Sequence, residues 1–279
     1  MAGEHRLENT VLLPGGLVLA EDRCLREAEL QPLSGYEEEW LAQHSAAPSA
    51  VVVTKLLSAC VVRLDDAMPT RDLIRQLLVG DRDYLMLQLR RMTLGDQFQA
   101  VFTCPACDAK MDISFPADDV PIERRPQTVA SYTLHLPVPE QEGHTIRFRL
   151  PTGGDQEAVL GMDSQVAVEA LFNRCIIDDG GVPLSPEERR AVIDAMDRLA
   201  PQCEVELDLT CPECSHTFLA LFDITTFFFH EMRIQENQLL REVHLLAWYY
   251  HWSEADILRL RRDRRRAYLG LLSEALQQD

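Results

Sequence analysis

Two short turns constrain this chain more than any other feature: Cys104-Pro-Ala-Cys107 and Cys211-Pro-Glu-Cys214. A Cys-x-x-Cys turn presents two sulfurs to one ion at ~2.3 Å each, so one turn supplies half of a tetrahedral zinc site and two complete it. Each turn carries proline after its first cysteine, and each interrupts a pair of β-prone runs. Gln97 to Thr103 leads into the first, and Met111, Ile113 and Phe115 alternate beyond it; Val205, Leu207 and Leu209 alternate into the second, and Thr217 to Phe222 leaves it. The pattern predicts a zinc ribbon in which Cys104, Cys107, Cys211 and Cys214 hold one structural Zn2+ ion. The 103 residues between Cys107 and Cys211 are too many for a plain ribbon, so most of residues 117–203 is expected as an insertion between its hairpins.

Four thiolates also suit iron, and spacing does not separate the two metals. A thioredoxin-like redox couple would need only one such turn, in a βαβ setting, and two copies in hairpins argue against it. A site saturated by four cysteines leaves no open coordination position and is not expected to catalyse. His216 reads as a surface histidine rather than a further ligand. Cys24, Cys60, Cys175 and Cys203 are isolated and read as ordinary buried thiols. The first ten residues lack the basic patch and apolar core of a secretory leader, so a cytosolic chain with metal-bound or free thiols is expected before disulfides.

The apolar runs are too short for a membrane helix; the most apolar stretch, Val51 to Val62, is interrupted by Lys55 and closed by Arg63. Net charge is −18, and because residues 225–279 carry eight acids and eight arginines, all of it sits in residues 1–224. Such a chain repels phosphate backbones unless its basic residues are segregated, which disfavours nucleic acid.

Periodicity and punctuation give an α+β chain in five parts. Residues 1–34 read as an extended arm or short hairpin turning at Pro14-Gly15-Gly16. Residues 35–96 read as helices: Tyr36 to Gln43, Pro48 to Cys60, Thr70 to Val79, and one more after a break with an Asp cap at Gly80-Asp81-Arg82-Asp83. The ribbon hairpins take 97–116 and 204–223. The insertion, 117–203, holds a β-hairpin (131–136 and 145–150) and helices near 155–162, 164–175 and 186–199. The last part, 224–279, reads as a helical hairpin, with one long helix from Phe227 to Tyr250 and a second capped by Ser253. Gly153-Gly154 reads as a turn and helix start, and no Gly-x-Ser-x-Gly, His-Glu-x-x-His or comparable catalytic signature is present. A non-enzymatic protein is expected.

The tail clusters Arg259, Arg261, Arg262, Arg264, Arg265 and Arg266 on one helical stretch beside an apolar series that includes Trp248 and Tyr249. A zinc-ribbon nucleic-acid-binding or regulatory protein is the alternative this allows. The acidic chain favours a protein contact instead, with Trp248, Trp252, Arg261, Arg262, Arg265 and Tyr268 as candidate partner-binding residues.

The stretch from Arg241 through Trp248 and Trp252 to Leu258, closing with Arg264-Arg-Arg-Ala-Tyr-Leu269, resembles the baseplate hub assembly proteins of contractile phage tails. The likeness extends to Cys211-Pro-Glu-Cys214, Phe222-Asp-Ile224, Arg147-Phe-Arg-Leu-Pro-Thr-Gly153, Cys104-Pro-Ala-Cys107 and Leu78-Val-Gly-Asp-Arg-Asp-Tyr-Leu85, most of the chain from about residue 50. That family is named for a T-even phage assembly chaperone, and similar proteins occur in phage-like contractile injection systems. The resemblance implies an assembly factor or structural component whose partners are baseplate hub, spike or other tail proteins. It places the chain in the cytoplasm of the host or producer cell, or in the assembled particle.

Overall fold

The computed structural model describes residues 9–19, 23–44, 49–125, 128–136, 144–181, 183–203, 205–234 and 236–277. Along the chain run β1 (Thr10–Val18), β2 (Cys24–Leu30), α1 (Gly35–Gln43), α2 (Ser49–Cys60), β3 (Val61–Leu64), α3 (Arg71–Gln76) and α4 (Val79–Leu94). There follow β4 (Gln97–Thr103), β5 (Lys110–Pro116), β6 (Tyr132–Leu136), β7 (His144–Phe148), α5 (Gly153–Ala158), α6 (Ser164–Cys175), β8 (Ile176–Asp178) and α7 (Pro186–Leu199). The rest is β9 (Val205–Thr210), β10 (Thr217–Phe222), α8 (Ile224–Ile234), α9 (Glu236–Tyr250), α10 (Glu254–Arg259) and α11 (Arg262–Gln277). Helices with small antiparallel sheets make this the expected α+β class. No helix among the described residues is long and apolar enough to cross a membrane.

The chain divides into two compact units, each assembled from three stretches: 1–29, 63–84 and 122–203 in the first, and 30–62, 85–121 and 204–279 in the second.

In the first unit β1 and β2 pair antiparallel, but Pro14-Gly15-Gly16 is not their turn. It lies within β1, where the register slips between Leu12, opposite Glu27, and Leu17, opposite Leu25. The turn comes later, closed by Leu19 N–H donating to the Arg23 carbonyl at 2.7 Å. A bulge is the better use of these residues because Gly15 is approached closely: its N–H donates to Asp81 Oδ1 at 2.6 Å, and an added Cβ would lie 2.8 Å from Leu78. Cys24, expected to be buried, is exposed at the start of β2, whereas Cys60, Cys175 and Cys203 are buried.

The helix break expected at Gly80 comes earlier, at Leu77 and Leu78. Leu77 is extended and its carbonyl accepts from Gly153 N–H at 3.0 Å, while Val79 N–H donates to the Pro151 carbonyl at 3.2 Å. Gly80 to Asp83 therefore sit in the first turns of α4, and Asp81 points inward instead of capping. Likewise α5 begins at Gly153, two residues before the expected start, where Asp155 Oδ2 accepts from Thr152 N–H at 3.0 Å, and it ends at Ala158. The β6–β7 hairpin forms as expected, and its connection, 137–143, lies outside the described residues. β8 is an unexpected third strand on β7. Ile146, Phe148, Phe172, Val192 and Ala195 form the core that joins this sheet to α6 and α7.

The second unit holds the two hairpins β4–β5 and β9–β10 with α1, α2 and α8 to α11. Phe98 of β4 gathers Phe115, Phe222 and Phe227 at ring-centroid distances of 5.0, 5.4 and 5.8 Å. Arg90 lies 4.0 Å over the Phe98 ring and donates to Glu231 and to the Gly95 and Gln97 carbonyls, fixing the end of α4 to the start of the ribbon. The stretch read as one helix from 227 to 250 is α8 and α9, with residue 235 outside the described residues. Ser253 caps α10, accepting from Asp256 N–H at 3.2 Å as expected. The tail then breaks at an extended Leu260, whose carbonyl accepts from Gly35 N–H and from Arg265 Nη1 at 2.7 Å, so two helices stand where one was expected.

Candidate metal centre

Each Cys-x-x-Cys turn closes its hairpin by the same two hydrogen bonds. Cys104 N–H donates to the Ala109 carbonyl at 2.9 Å and Asp108 N–H to the Cys104 carbonyl at 3.0 Å; Cys211 N–H donates to His216 and Ser215 N–H to Cys211, both at 2.9 Å. The residue after each second cysteine takes a left-handed backbone, φ 58° at Asp108 and 59° at Ser215. The flanking strands are in register from Gln97↔Pro116 to Thr103↔Lys110 and from Phe222↔Val205 to Thr217↔Thr210. Met111 and Leu209, with Phe102, Ile113, Leu207 and Phe218 against them, form an apolar floor.

The four sulfurs converge. Cys104 Sγ lies 3.7 Å from Cys214 Sγ, Cys107 Sγ lies 3.6 Å from Cys211 Sγ, and all four are within 4.8 Å of one another. A tetrahedron with metal–sulfur bonds of ~2.3 Å has edges of about 3.8 Å, so this cluster has the dimensions of a single four-thiolate site. A disulfide would bring two sulfurs to about 2.05 Å, and all eight cysteines are free. Cys104 and Cys211 are buried while Cys107 and Cys214 face solvent. The amides of Cys214 and Glu213 hold the Cys211 thiol down to about 7. Although the Ala109 amide favours its thiolate, Cys107 is pushed up to about 12 by its hydrogen bonds with the other sulfurs. Four thiols this close share protons, and a cation that displaces them relieves the crowding. The four cysteines can therefore hold one metal ion, with no coordination position left open. His216 stays outside the group, its ring stacked near Phe218 at 6.1 Å.

The tail residues separate. Trp248 is 68% exposed on α9, and Arg261 is exposed between α10 and α11. Trp252 and Tyr268 are half-buried and meet edge to face at 4.8 Å, with Tyr250 stacked on Trp252. Arg262 and Arg265 are not surface residues: they are 3% and 0% exposed. Arg265 donates to Glu38 Oε1 at 2.8 Å and Glu242 Oε2 at 2.9 Å, and Arg262 lies 3.6 Å from Glu38. The sequence reading missed both acids. Their signal is position: Glu38 precedes Leu41 and Ala42 by three and four residues, and Glu242 lies between Leu239 and Leu246, so each carboxylate occupies the apolar stripe of its helix.

A family model described as T4 bacteriophage base plate protein matches residues 24–229, and the chain belongs to that family. The match takes in both Cys-x-x-Cys turns and the 78–85 and 147–153 segments, begins earlier than the resemblance at residue 50, and ends before α9. No curated protein and no solved structure matches the chain.

Proposed function

We propose that this base plate family member is a non-enzymatic assembly factor or structural component of the baseplate hub of a contractile phage tail or phage-like contractile injection system, built around one structural zinc ion. Family membership over residues 24–229 carries the reading and supports a structural or assembly role among other tail proteins. The sulfur spacings of 3.6 and 3.7 Å support one tetrahedral metal ion, which we read as zinc, and a closed four-thiolate set supports a structural role for the ion rather than a catalytic one. Bound there, the metal supplies a cross-link between hairpins that stand 103 residues apart. The exposed Trp248 and Arg261 are the candidate partner residues that remain at the surface, beside the half-buried Trp252 and Tyr268. Hub and spike proteins are the proposed partners, met in the cytoplasm of the host or producer cell, with incorporation into the particle as the end point. The nucleic-acid reading loses two of its arginines to the interior pairing of Arg262 and Arg265.

Native mass spectrometry of the chain co-expressed with the tail proteins of its own gene cluster tests both halves. One zinc and a bound hub or spike protein is the expected result. A metal-free chain sinks the ribbon, and a chain that carries nucleic acid but no tail protein moves the function to the alternative.

A further inference from the structure

A concavity of about 530 Å³ lies wholly within the first unit, walled by β1, α3, the start of α5 and the end of α6. Four of its lining side chains are arginines, Arg75, Arg125, Arg149 and Arg174, against two carboxylates, Asp72 and Asp155. In a chain of 45 acids and 27 bases this is a local reversal of charge.

Asp155 organises the wall. Its Oδ2 accepts from Arg149 Nη1 at 2.5 Å and from Thr152, and its Oδ1 accepts from Arg149 Nη2 and Arg174 Nε, both at 2.9 Å. The carboxylate is therefore fully used by protein donors. Arg174 spends only its Nε on Asp155: its two terminal nitrogens make no hydrogen bond among the described residues, and its side chain is 47% exposed. Arg75 is paired with Glu157 and Asp72. Arg125 is 7% exposed and meets Tyr132 Oη and the Val129 carbonyl, yet its Nε has no hydrogen-bond partner among the described residues. A buried guanidinium with an unmade bond and an oriented one with a free fork, lining the same cavity, are an arrangement that an incoming anion completes.

We propose that this cavity binds the carboxylate of an acidic peptide segment from a partner protein. Arginine's planar fork matches a carboxylate in two parallel bonds. The walls decide the class of ligand: Leu17, Val18, Leu78 and Leu150 also line the cavity, and a carboxylate borne on hydrocarbon fills such a lining where a bare phosphate does not. The proposal is independent of the metal reading, since no lining residue belongs to the cysteine centre, and it rests on the proposed assembly role only for the partner being a protein.

The test is a titration of the full chain with the capped tripeptide acetyl-Leu-Glu-Leu-amide, followed by NMR of the arginine Nε–Hε groups. Saturable shifts of Arg174 and Arg125 are expected, with no shift from the glutamine counterpart. Arg174→Gln should weaken binding about tenfold, the cost of one charge-assisted pair, and Arg125→Lys, which keeps the charge but removes Nε, should weaken it by a smaller factor, while Arg259→Gln in the other unit leaves it unchanged. Equal shifts from the glutamine peptide, or no saturation at millimolar peptide, would overturn the proposal. Tighter binding of inorganic phosphate, with displacement of the peptide, would equally overturn it and assign the cavity to a free oxyanion.

Discussion

The second unit is clamped twice, by devices of opposite kind. The cysteine centre joins two hairpins through sulfurs of which half face solvent, and it can be completed by an ion from outside the chain. The cluster of Glu38, Glu242, Arg262 and Arg265 joins α1, α9 and α11 with every member at most 4% exposed, and it is neutral by itself. A thiolate clamp is conditional on metal, pH and redox state. A buried charge clamp is indifferent to all three near neutrality but intolerant of losing one partner, because the survivor is left charged in a medium that does not solvate it. The same unit thus combines a site for a removable staple with a permanent one.

The largest effect should come from emptying the first clamp. Cys211→Ser, or a strong chelator, is expected to remove the metal and forfeit binding free energy on the order of 10 kcal/mol, the scale for structural zinc. Hydrogen exchange in β4–β5 and β9–β10 should then accelerate together; a response confined to one hairpin would break the idea of a shared clamp. Next comes Arg265→Ala, which strands Glu38 and Glu242 and should cost about 3–5 kcal/mol in urea unfolding. Arg262→Met sharpens the contrast. Arg262 Nε and Nη1 make no hydrogen bond among the described residues and Glu38 keeps Arg265, so a smaller cost than that of Arg265→Ala, about 1–3 kcal/mol for the one charge the cluster loses, is expected, and equal costs would show that the pair acts as one.

The first unit provides a third kind of site, a carboxylate buried beside backbone. Burial pushes Asp81 up to about 6 despite the Gly15 amide, and its Oδ2 has no hydrogen-bond partner among the described residues. A folded pKa above the unfolded value of about 4 means that its contribution is full below pH 4 and lost as pH rises through about 6. Asp81→Asn should flatten the fall in stability between those values, and an unchanged pH profile of the melting temperature would exclude Asp81 as its source. Asp155 runs the other way. Although burial alone would raise it, hydrogen bonds from Arg149 and Thr152 hold its carboxyl far below the usual range, so its contribution is full above pH 4 and declines as acid is added. The smallest effect belongs to Glu169→Gln at the exposed pair with Arg189, expected within about 0.5 kcal/mol by the same unfolding assay.

What was legible in the sequence was local. The ribbon could be read because each half-site is four residues long and flanked by alternating strands, and α10 because Ser253 and Asp256 sit three apart. What escaped was decided by distant partners. Leu260 ends α10 because Gly35 and Arg265 claim its carbonyl, and Leu77 is extended because its carbonyl accepts from Gly153. Pro14-Gly15-Gly16 has the chemistry of a turn, yet the approach of Leu78 and Asp81 makes it a bulge. An arginine run looks like surface until the acids that neutralise it, Glu38 and Glu242, are seen to lie on the apolar stripes of other helices.

The distance between the two halves of the cysteine centre also sets a clock. A ribosome adding roughly 5–20 residues per second takes on the order of 5–20 s to travel from the first turn to the second. Throughout that interval the Cys104–Cys107 pair exists as a bidentate, oxidisable fragment. Neither unit can close meanwhile, because each draws on residues beyond 121. If the site takes a metal, the nascent chain must be kept reduced until its second pair emerges, which places capture after every residue of the first unit has been made.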